Sequence, residues 1–189
     1  MHGIRRTGAG GGPPPIRRPI TREEHAKGAA LFDQLNKLVD SDPDIDELGL
    51  LPFPPGKGPA FVLEEHKLGI SFAAVAPLYS YAFKLFTAVL RTARKDAEIR
   101  PAAAETLLKT TRAVLMINPD AHTCWNVRKR LTAQGEIPVA AELKYLALIF
   151  TKHPKSGSAW AHRRWALKRI PPLSRTPSSA PPASAASVF

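Results

Sequence analysis

Apolar residues in the middle of the chain recur at three- and four-residue steps, the spacing of amphipathic helices. Leu31, Phe32, Leu35, Leu38 and Val39 follow it first. They come after Thr21-Arg22-Glu23-Glu24, a Thr-x-x-Glu capping box in which hydroxyl and carboxylate satisfy free helix N–H groups. A helix is therefore expected from there to about Asp40. The pattern returns from Phe72 to Arg94, weighted with Phe72, Tyr79, Tyr81, Phe83 and Phe86, where Pro77 either starts the helix or bends it. Such an aromatic set reads as core. Pro101 introduces a helix from Ala102 to Ile117, Pro138 opens a further one, and Ile170-Pro171-Pro172 closes the series. Between the first two helices, Asp42 to Gly58 carries Pro43, Pro52, Pro54 and Pro55 and reads as a crossing loop. Its Ile45, Leu48, Leu50, Leu51 and Phe53 are too apolar for free solvent, so it should lie against the body, with contact to a partner as the alternative. Residues 61 to 70 are compatible with a short helix or an extended segment.

The later helices repeat. Asn118-Pro119, Trp125 and Arg128 recur as His153-Pro154, Trp160 and Arg163, each 35 positions on, and Leu108, Val114 and Leu115 recur as Leu143, Ile149 and Phe150. A period in the mid-thirties marks a helical hairpin that must stack on a neighbour to bury its apolar face. Proline pushes the residue before it out of the helical region, so Asn118 and His153 should end one helix and open a turn. Asp120 and Ser156 then stand where N-caps are wanted, and Gly135 ends the second helix of the first copy. Trp125 and Arg128, like Trp160 and Arg163, are i and i+3 neighbours sharing one face. That face should look inward, with the indole between helices and the guanidinium on carbonyls or a carboxylate of the adjoining hairpin.

Charge changes the picture less than its total suggests. Of the net charge of +11, five Arg lie in residues 1 to 22, which hold no acid, and one in residues 171 to 189, which leaves +5 for residues 23 to 170. Both ends are rich in Gly, Pro, Ser or Ala and should be disordered. The runs Arg128-Lys129-Arg130 and Arg163-Arg164 sit on repeat helices without aromatic interleaving, so no nucleic-acid partner is expected. The acids of the crossing loop, Asp42, Asp44, Asp46 and Glu47, should oppose these basic repeats. No apolar run is read as long enough to span a membrane, and a cytoplasmic location follows. The single cysteine, Cys124, rules out an internal disulfide and aligns with Ala159 as a small core residue.

Self-sufficient catalytic chemistry is not legible. There is no phosphate-cradling glycine loop on a strand-to-helix turn and no helical His-Glu-x-x-His. His122, His153 and His162 fall inside the repeats, but no carboxylate or thiol recurs with them, so no metal site is expected.

Pro119, Trp125 and Arg128, then Pro154, Trp160 and Arg163, resemble the motif of the protein prenyltransferase alpha-subunit repeats: a Pro, then Asn-Tyr, then Trp-His-x-Arg. Ala121-His122 and Ser156-Gly157 replace Asn-Tyr here, and Asn126 and Ala161 replace the His after Trp. The segments Asp44 to Leu50 and Glu65 to Gly69 look more like the family's repeat-containing members than like the alpha subunits of farnesyltransferase or the Rab enzyme. The resemblance implies an all-α chain, a right-handed alpha-alpha superhelix of stacked helical hairpins with disordered termini. Its parts would be a basic tail (1–22), N-terminal helices with the crossing loop (23–100), two repeats (101–170) and a Ser/Pro/Ala tail (171–189). It further implies a noncatalytic alpha-type subunit of a protein geranylgeranyltransferase. The partner beta subunit would hold the zinc and the isoprenoid diphosphate, and the substrates would be proteins with a C-terminal cysteine. Lys155 matches the position from which an alpha-subunit lysine reaches toward the diphosphate. A solvent-facing turn lysine is the other reading. Since about three stacked repeats are normally needed for independent stability and two are readable, a shortened form or incomplete gene product is expected, with Trp165 and Leu167 uncovered unless the tail or a partner covers them. The reading from a different class is a helical-repeat interaction adaptor unrelated to prenylation.

Overall fold

The computed structural model describes residues 21–54, 56–94 and 97–170; the expected disordered stretches at residues 1 to 20 and 171 to 189 lie outside them. Helices dominate: α1 (Arg22–Ser41), α2 (Phe72–Ala93), α3 (Pro101–Ile117), α4 (His122–Ala133), α5 (Val139–Lys152) and α6 (Gly157–Leu167). Against the all-α expectation, a small sheet stands between α1 and α2, made of β1 (Glu47–Leu51), β2 (Phe61–Glu64) and β3 (Lys67–Ser71).

Thr21 opens α1 through both arms of its capping box: its Oγ1 accepts from Glu24 N–H at 3.1 Å and its own N–H donates to Glu24 Oε2 at 2.9 Å. Thr21 and Arg22, assigned from sequence to the basic tail, are thus the cap and first turn of a helix. The stripe Leu31, Phe32 and Leu35 is buried against α2, whose own buried stripe is Ala74, Leu78, Ala82, Phe86 and Leu90. Gly28 sets how closely the two helices approach. A Cβ there would come within 2.7 Å of Tyr81 Cβ and 2.8 Å of the Pro77 carbonyl oxygen. Pro77 neither starts α2 nor ends it; Ser71 is the N-cap, and Pro77 lies inside the helix. By length and composition α2 is also long and apolar enough to cross a membrane, contrary to the sequence expectation, although the core helix of a soluble protein meets the same standard. With only Lys84 and Arg91 charged among its residues, it is more apolar than a one-sided stripe requires.

The sheet has the order β1-β3-β2, with β1 parallel and β2 antiparallel to the central β3. This settles residues 61 to 70 as a hairpin, turned by Glu65 and His66 at φ 47° and 66°, the positive values that a two-residue hairpin turn favours. The crossing loop does lie against the body, but part of it is a strand. Leu48 pairs in register with Leu68 and Gly49 with Gly69, and both leucines are buried. The β1 edge is tied to α5, where Leu48 N–H donates to Thr151 Oγ1 at 3.0 Å and Lys144 Nζ meets Asp44 at 2.7 Å. The expected opposition of loop acids and basic repeats is seen, among the described residues, in the pair Asp44 and Lys144. Asp42 turns instead to His66 Nδ1 at 3.0 Å, and its hydrogen bond and charge raise the His66 pKa.

Because the backbone of α2 would meet a methyl group at position 28, Gly28→Ala should lower stability by about 1–3 kcal/mol of overpacking, outweighing its helix-propensity gain of about 1 kcal/mol. Urea unfolding followed by circular dichroism measures this; a raised midpoint would mean that α1 and α2 are not held so close.

Candidate functional site

The two hairpins α3–α4 and α5–α6 turn in the same way. Asn118 and His153, each before proline, leave the helical region at φ −130° and −126°, and each keeps one last helical bond, from its own N–H to the residue four back. Each following proline carbonyl is then taken by the tryptophan six residues on: Trp125 Nε1–H donates to Pro119 at 2.7 Å and Trp160 Nε1–H to Pro154 at 2.8 Å. The motif's Pro and Trp thus form a latch between turn and helix, which spacing alone did not reveal. Ser156 caps α6, accepting from Ala159 N–H at 3.2 Å. Asp120 is not the cap of α4, whose N-cap is Ala121 with no side-chain bond. It accepts a hydrogen bond from Ser156 Oγ at 2.7 Å, which ties the two turns together and, with a further bond from Ser158, holds the Asp120 pKa down. Gly135 closes α4 at φ +84°. Its N–H bonds to the Thr132 carbonyl and that of Glu136 to Leu131, the paired bonds of a glycine-terminated helix.

Arg128, 3 % exposed, reaches into the next hairpin and grips Glu142, which is fully buried. Nε lies 2.9 and 3.1 Å from the two carboxylate oxygens, NH2 lies 2.5 Å from Oε2, and NH1 reaches Thr111 Oγ1 on α3 at 3.3 Å. The guanidinium also sits 4.3 Å from the Tyr145 ring centroid. On the other side of Glu142, His162 Nε2 approaches Oε1 at 2.6 Å. The imidazole is stacked between Trp125 at 4.5 Å and Trp165 at 5.2 Å, and its Nδ1 is buried without a hydrogen-bond partner. This polar core joins three helices of one hairpin junction to α6 of the second hairpin.

Its charge states follow from burial and pairing. Desolvation would raise the Glu142 carboxyl, but the Arg128 charge and the hydrogen bonds from His162 and Arg128 outweigh it and bring the pKa down to about 2. Burial dominates at His162 and lowers its pKa despite the Glu142 hydrogen bond, so the ring is neutral near pH 7, with Nε2–H donating and Nδ1 an unused acceptor. Burial likewise pushes the Cys124 thiol up to about 12, which makes it an inert core group.

The structure brings together Pro119, Trp125 and Arg128 as expected, with Arg128 on a carboxylate of the adjoining hairpin. It does not do the same for the second copy. Trp160, expected to face inward, is 44 % exposed, and Arg163 lies over the Phe150 ring, 6.0 Å from its centroid, rather than on a carboxylate. The physical reason is that the group completing the first motif comes from the following hairpin, and no hairpin follows α6 among the described residues. Lys155 is exposed in the α5–α6 turn, away from the buried core. The three repeat histidines do not converge: His122 faces Ser158 Oγ at 3.4 Å, His153 faces the Met116 carbonyl at 2.9 Å, and His162 faces Glu142. Glu142 and His162 were not singled out as site partners from sequence. The available signal was an acid on an otherwise apolar face of α5, one hairpin beyond an arginine that needed a counter-ion.

These features define a class, a protein of paired-helix repeats whose Trp and Arg knit one hairpin to the next. The sequence model of the protein prenyltransferase alpha subunit repeat matches residues 139–170, which are α5, α6 and the turn between them. The chain is 37 % identical over 131 residues to protein prenyltransferase alpha subunit repeat-containing protein 1-A of Xenopus laevis, and to the same degree and extent to repeat-containing protein 1 of Homo sapiens. Both matches take in 68 % of this chain, but it spans only 29 % and 31 % of those relatives. It is also 37 % identical over 76 residues to the geranylgeranyl transferase type-2 subunit alpha of Bos taurus, covering 35 % of this chain and 13 % of that protein. Residues 139–170 thus match a protein prenyltransferase alpha subunit repeat, and about two thirds of the chain is similar to proteins named for that repeat.

Removing one member of the buried pair should be costly. Glu142→Ala strands the Arg128 charge and is expected to lower unfolding free energy by about 3–5 kcal/mol, whereas Arg128→Met with Glu142→Leu should be closer to neutral. Equilibrium unfolding of the three chains checks this, and equal losses in single and double variants would count against the pairing. Acid should act in two stages, since both groups have folded pKa values below their unfolded ones and the unfolded chain takes up more protons as pH falls. The His162 contribution is present above pH 6.5 and is lost as pH falls below it; that of Glu142 is lost between pH 4.5 and about 2. A stability profile against pH, compared with that of Glu142→Gln, should show the lower stage vanish in the variant.

Proposed function

We propose that this chain is an alpha-type, noncatalytic part of a protein prenyltransferase, whose paired helices continue as a right-handed alpha-alpha superhelix around a catalytic beta subunit. The observation that carries this reading is the coincidence of the matched repeat with α5–α6, the hairpin whose Glu142 and His162 complete the preceding motif. The buried ionisable chemistry supports a scaffold: Glu142 is engaged by Arg128 and His162, and the Cys124 thiol is held protonated. In this reading the beta subunit brings the zinc and the isoprenoid diphosphate. The transferred group is geranylgeranyl, in keeping with the similarity to type-2 alpha subunits, and the acceptor is a C-terminal cysteine of a substrate protein. The location is cytoplasmic and α2 is a core helix, its buried stripe packed against α1 and α3. The parts of the chain are the N-terminal helices and β-containing loop up to residue 100, then two repeats over 101–170.

Lys155, exposed at the helix-entry turn, is the chain's candidate for offsetting charge on a leaving diphosphate. The helical-repeat adaptor remains the second reading. It is favoured by the greater coverage of the repeat-containing relatives over the transferase subunit, 68 % against 35 % of this chain.

Co-expression with prenyltransferase beta subunits tests the proposal. A heterodimer that co-purifies and prenylates a protein ending in cysteine is expected, and Lys155→Ala should slow turnover without weakening assembly. Failure of every beta subunit to co-purify would favour the adaptor, unchanged turnover would make Lys155 a plain solvent-facing residue, and salt-sensitive retention on nucleic acid would oppose both readings.

A further inference from the structure

The sheet takes no part in the repeat motif, and its two edges differ. β1, at one side, is bonded to α5 through Leu48 N–H and Thr151 Oγ1. β2, at the other, has β3 as its one neighbour in the sheet. The direction of its main-chain groups follows from the turn and the register. Glu64 and Lys67 close a two-residue turn, and Ser71 N–H donates to the Ala60 carbonyl at 2.9 Å, so Ala60, Val62 and Glu64 are the positions bonded to β3. Phe61 and Leu63 therefore aim their N–H and C=O groups away from the sheet, where no partner meets them among the described residues. Such an edge is a template for a further strand.

The side chains along this edge set what an added strand must carry. On the inner face Phe61 is buried and Leu63 is half-buried against the core, so inward positions beside them suit apolar residues. On the outer face stand Val62 and Glu64. Next to them the paired Gly49 and Gly69 bring no side chains, which leaves an open trough of about 680 Å³ along the sheet. Lys67 lies between two acids but turns to Glu47, 3.6 Å away, and Glu64 has no ion pair among the described residues. The surrounding segment is acidic as well: residues 42 to 71 hold six Asp and Glu against Lys57 and Lys67, in a chain whose net charge is +11.

We infer that the free edge of β2 is a docking site for an extended, basic segment of a partner protein, which adds as a fourth strand antiparallel to β2. In that register Phe61 and Leu63 each exchange both main-chain hydrogen bonds with the segment. The residue preceding the one that faces Leu63 then lies beside Glu64 in a non-hydrogen-bonded pair, where side chains are closest, and a Lys or Arg there supplies the cation that Glu64 lacks. Read from its N-terminus, the segment is basic, apolar, outward-facing, apolar. A second copy of this chain fits worse, because it would bring two acidic segments together. The site is independent of the prenyltransferase reading, so failure of a beta subunit to bind leaves it standing.

The probe is the end-blocked peptide Lys-Val-Thr-Val-Lys, added at millimolar concentration to the full chain while amide resonances are followed by NMR. Shifts and slowed hydrogen exchange centred on Phe61 and Leu63 are expected. Methylating the nitrogens of both Val, which face β2, should abolish binding, whereas methylating that of Thr, which faces away, should not. Glu64→Lys should weaken binding roughly fivefold, the scale of one cross-strand ion pair, and a peptide with Glu in place of the first Lys should restore it. Shifts that do not reach Phe61 and Leu63, equal binding by the Val-methylated peptide, or no effect of Glu64→Lys overturns the proposal. Protection of the same two amides that grows with protein concentration, without peptide, assigns the edge to a second copy and overturns it too.

Discussion

A carboxylate with no exposure to water is held ionised inside this protein, chiefly because an arginine from the neighbouring hairpin is bonded to it through two nitrogens, with a hydrogen bond from His162 beside it. Neither partner is tolerable alone in that position, since an unpaired buried charge costs several kcal/mol. The pair therefore makes α4 and α5 mutually dependent, and the remaining contacts are arranged around this demand. Thr111 takes the third arm of the guanidinium, the Tyr145 ring lies beneath it, and neutral His162 gives its one N–H to the second face of the carboxylate. Trp125 then closes over His162, and its own N–H is used at the Pro119 carbonyl. Each polar group is satisfied by the next, except for His162 Nδ1, which is left as an acceptor between two indoles.

Such an arrangement explains why the motif reads so clearly in sequence and yet means different things in its two copies. Pro, Trp and Arg are local: they fix the turn, latch it to the helix and aim a cation outward from the hairpin. What the cation meets is not local. Arg128 and Arg163 each follow a tryptophan by three residues on their own helices, and one is buried on a carboxylate of the next hairpin while the other lies over a phenylalanine, with no further hairpin among the described residues. The prediction that both indoles face inward treated a hairpin as a complete unit, when the unit of burial is the junction. For the same reason Glu142 and His162 went unnoticed as partners: each lies on the hairpin after the arginine or tryptophan it serves, so no spacing inside one copy joins them.

Helices were legible wherever period and end signals agreed. Thr21 to Glu24 gave the start of α1 and Gly135 the end of α4, both with the capping bonds that the structure shows, and Pro101 gave the first residue of α3, where Arg100 makes no side-chain cap bond. The sheet was not legible, and its strands show why. β3 is Lys67-Leu68-Gly69-Ile70-Ser71, buried along nearly its whole length, so it lacks the alternation that marks a strand with one wet face. Its hairpin turns on Glu65-His66 rather than on the asparagine and glycine that favour positive φ, which removed the other signal. Asp120 was misplaced for a related reason. Its residue type suits a cap, but a serine 36 positions later competes for the carboxylate and wins.

The sheet also bears on how the repeats are held. β1 pairs with β3, which runs directly into α2, and α2 packs on α1 and α3. The other side of β1 is bonded to α5 through Leu48 and Thr151, reinforced by Asp44 and Lys144. The loop that leaves α1 thus reaches past the first hairpin and fastens to the second, so α5 is restrained from two directions, by Arg128 on α4 and by β1. Two repeats alone bury little, since each normally relies on a neighbour on both sides. Here the strand clamps α5 from outside the repeat array, where a further neighbour would otherwise be needed. The order of the α5 face is then secured by the N-terminal segment as well as by the preceding hairpin.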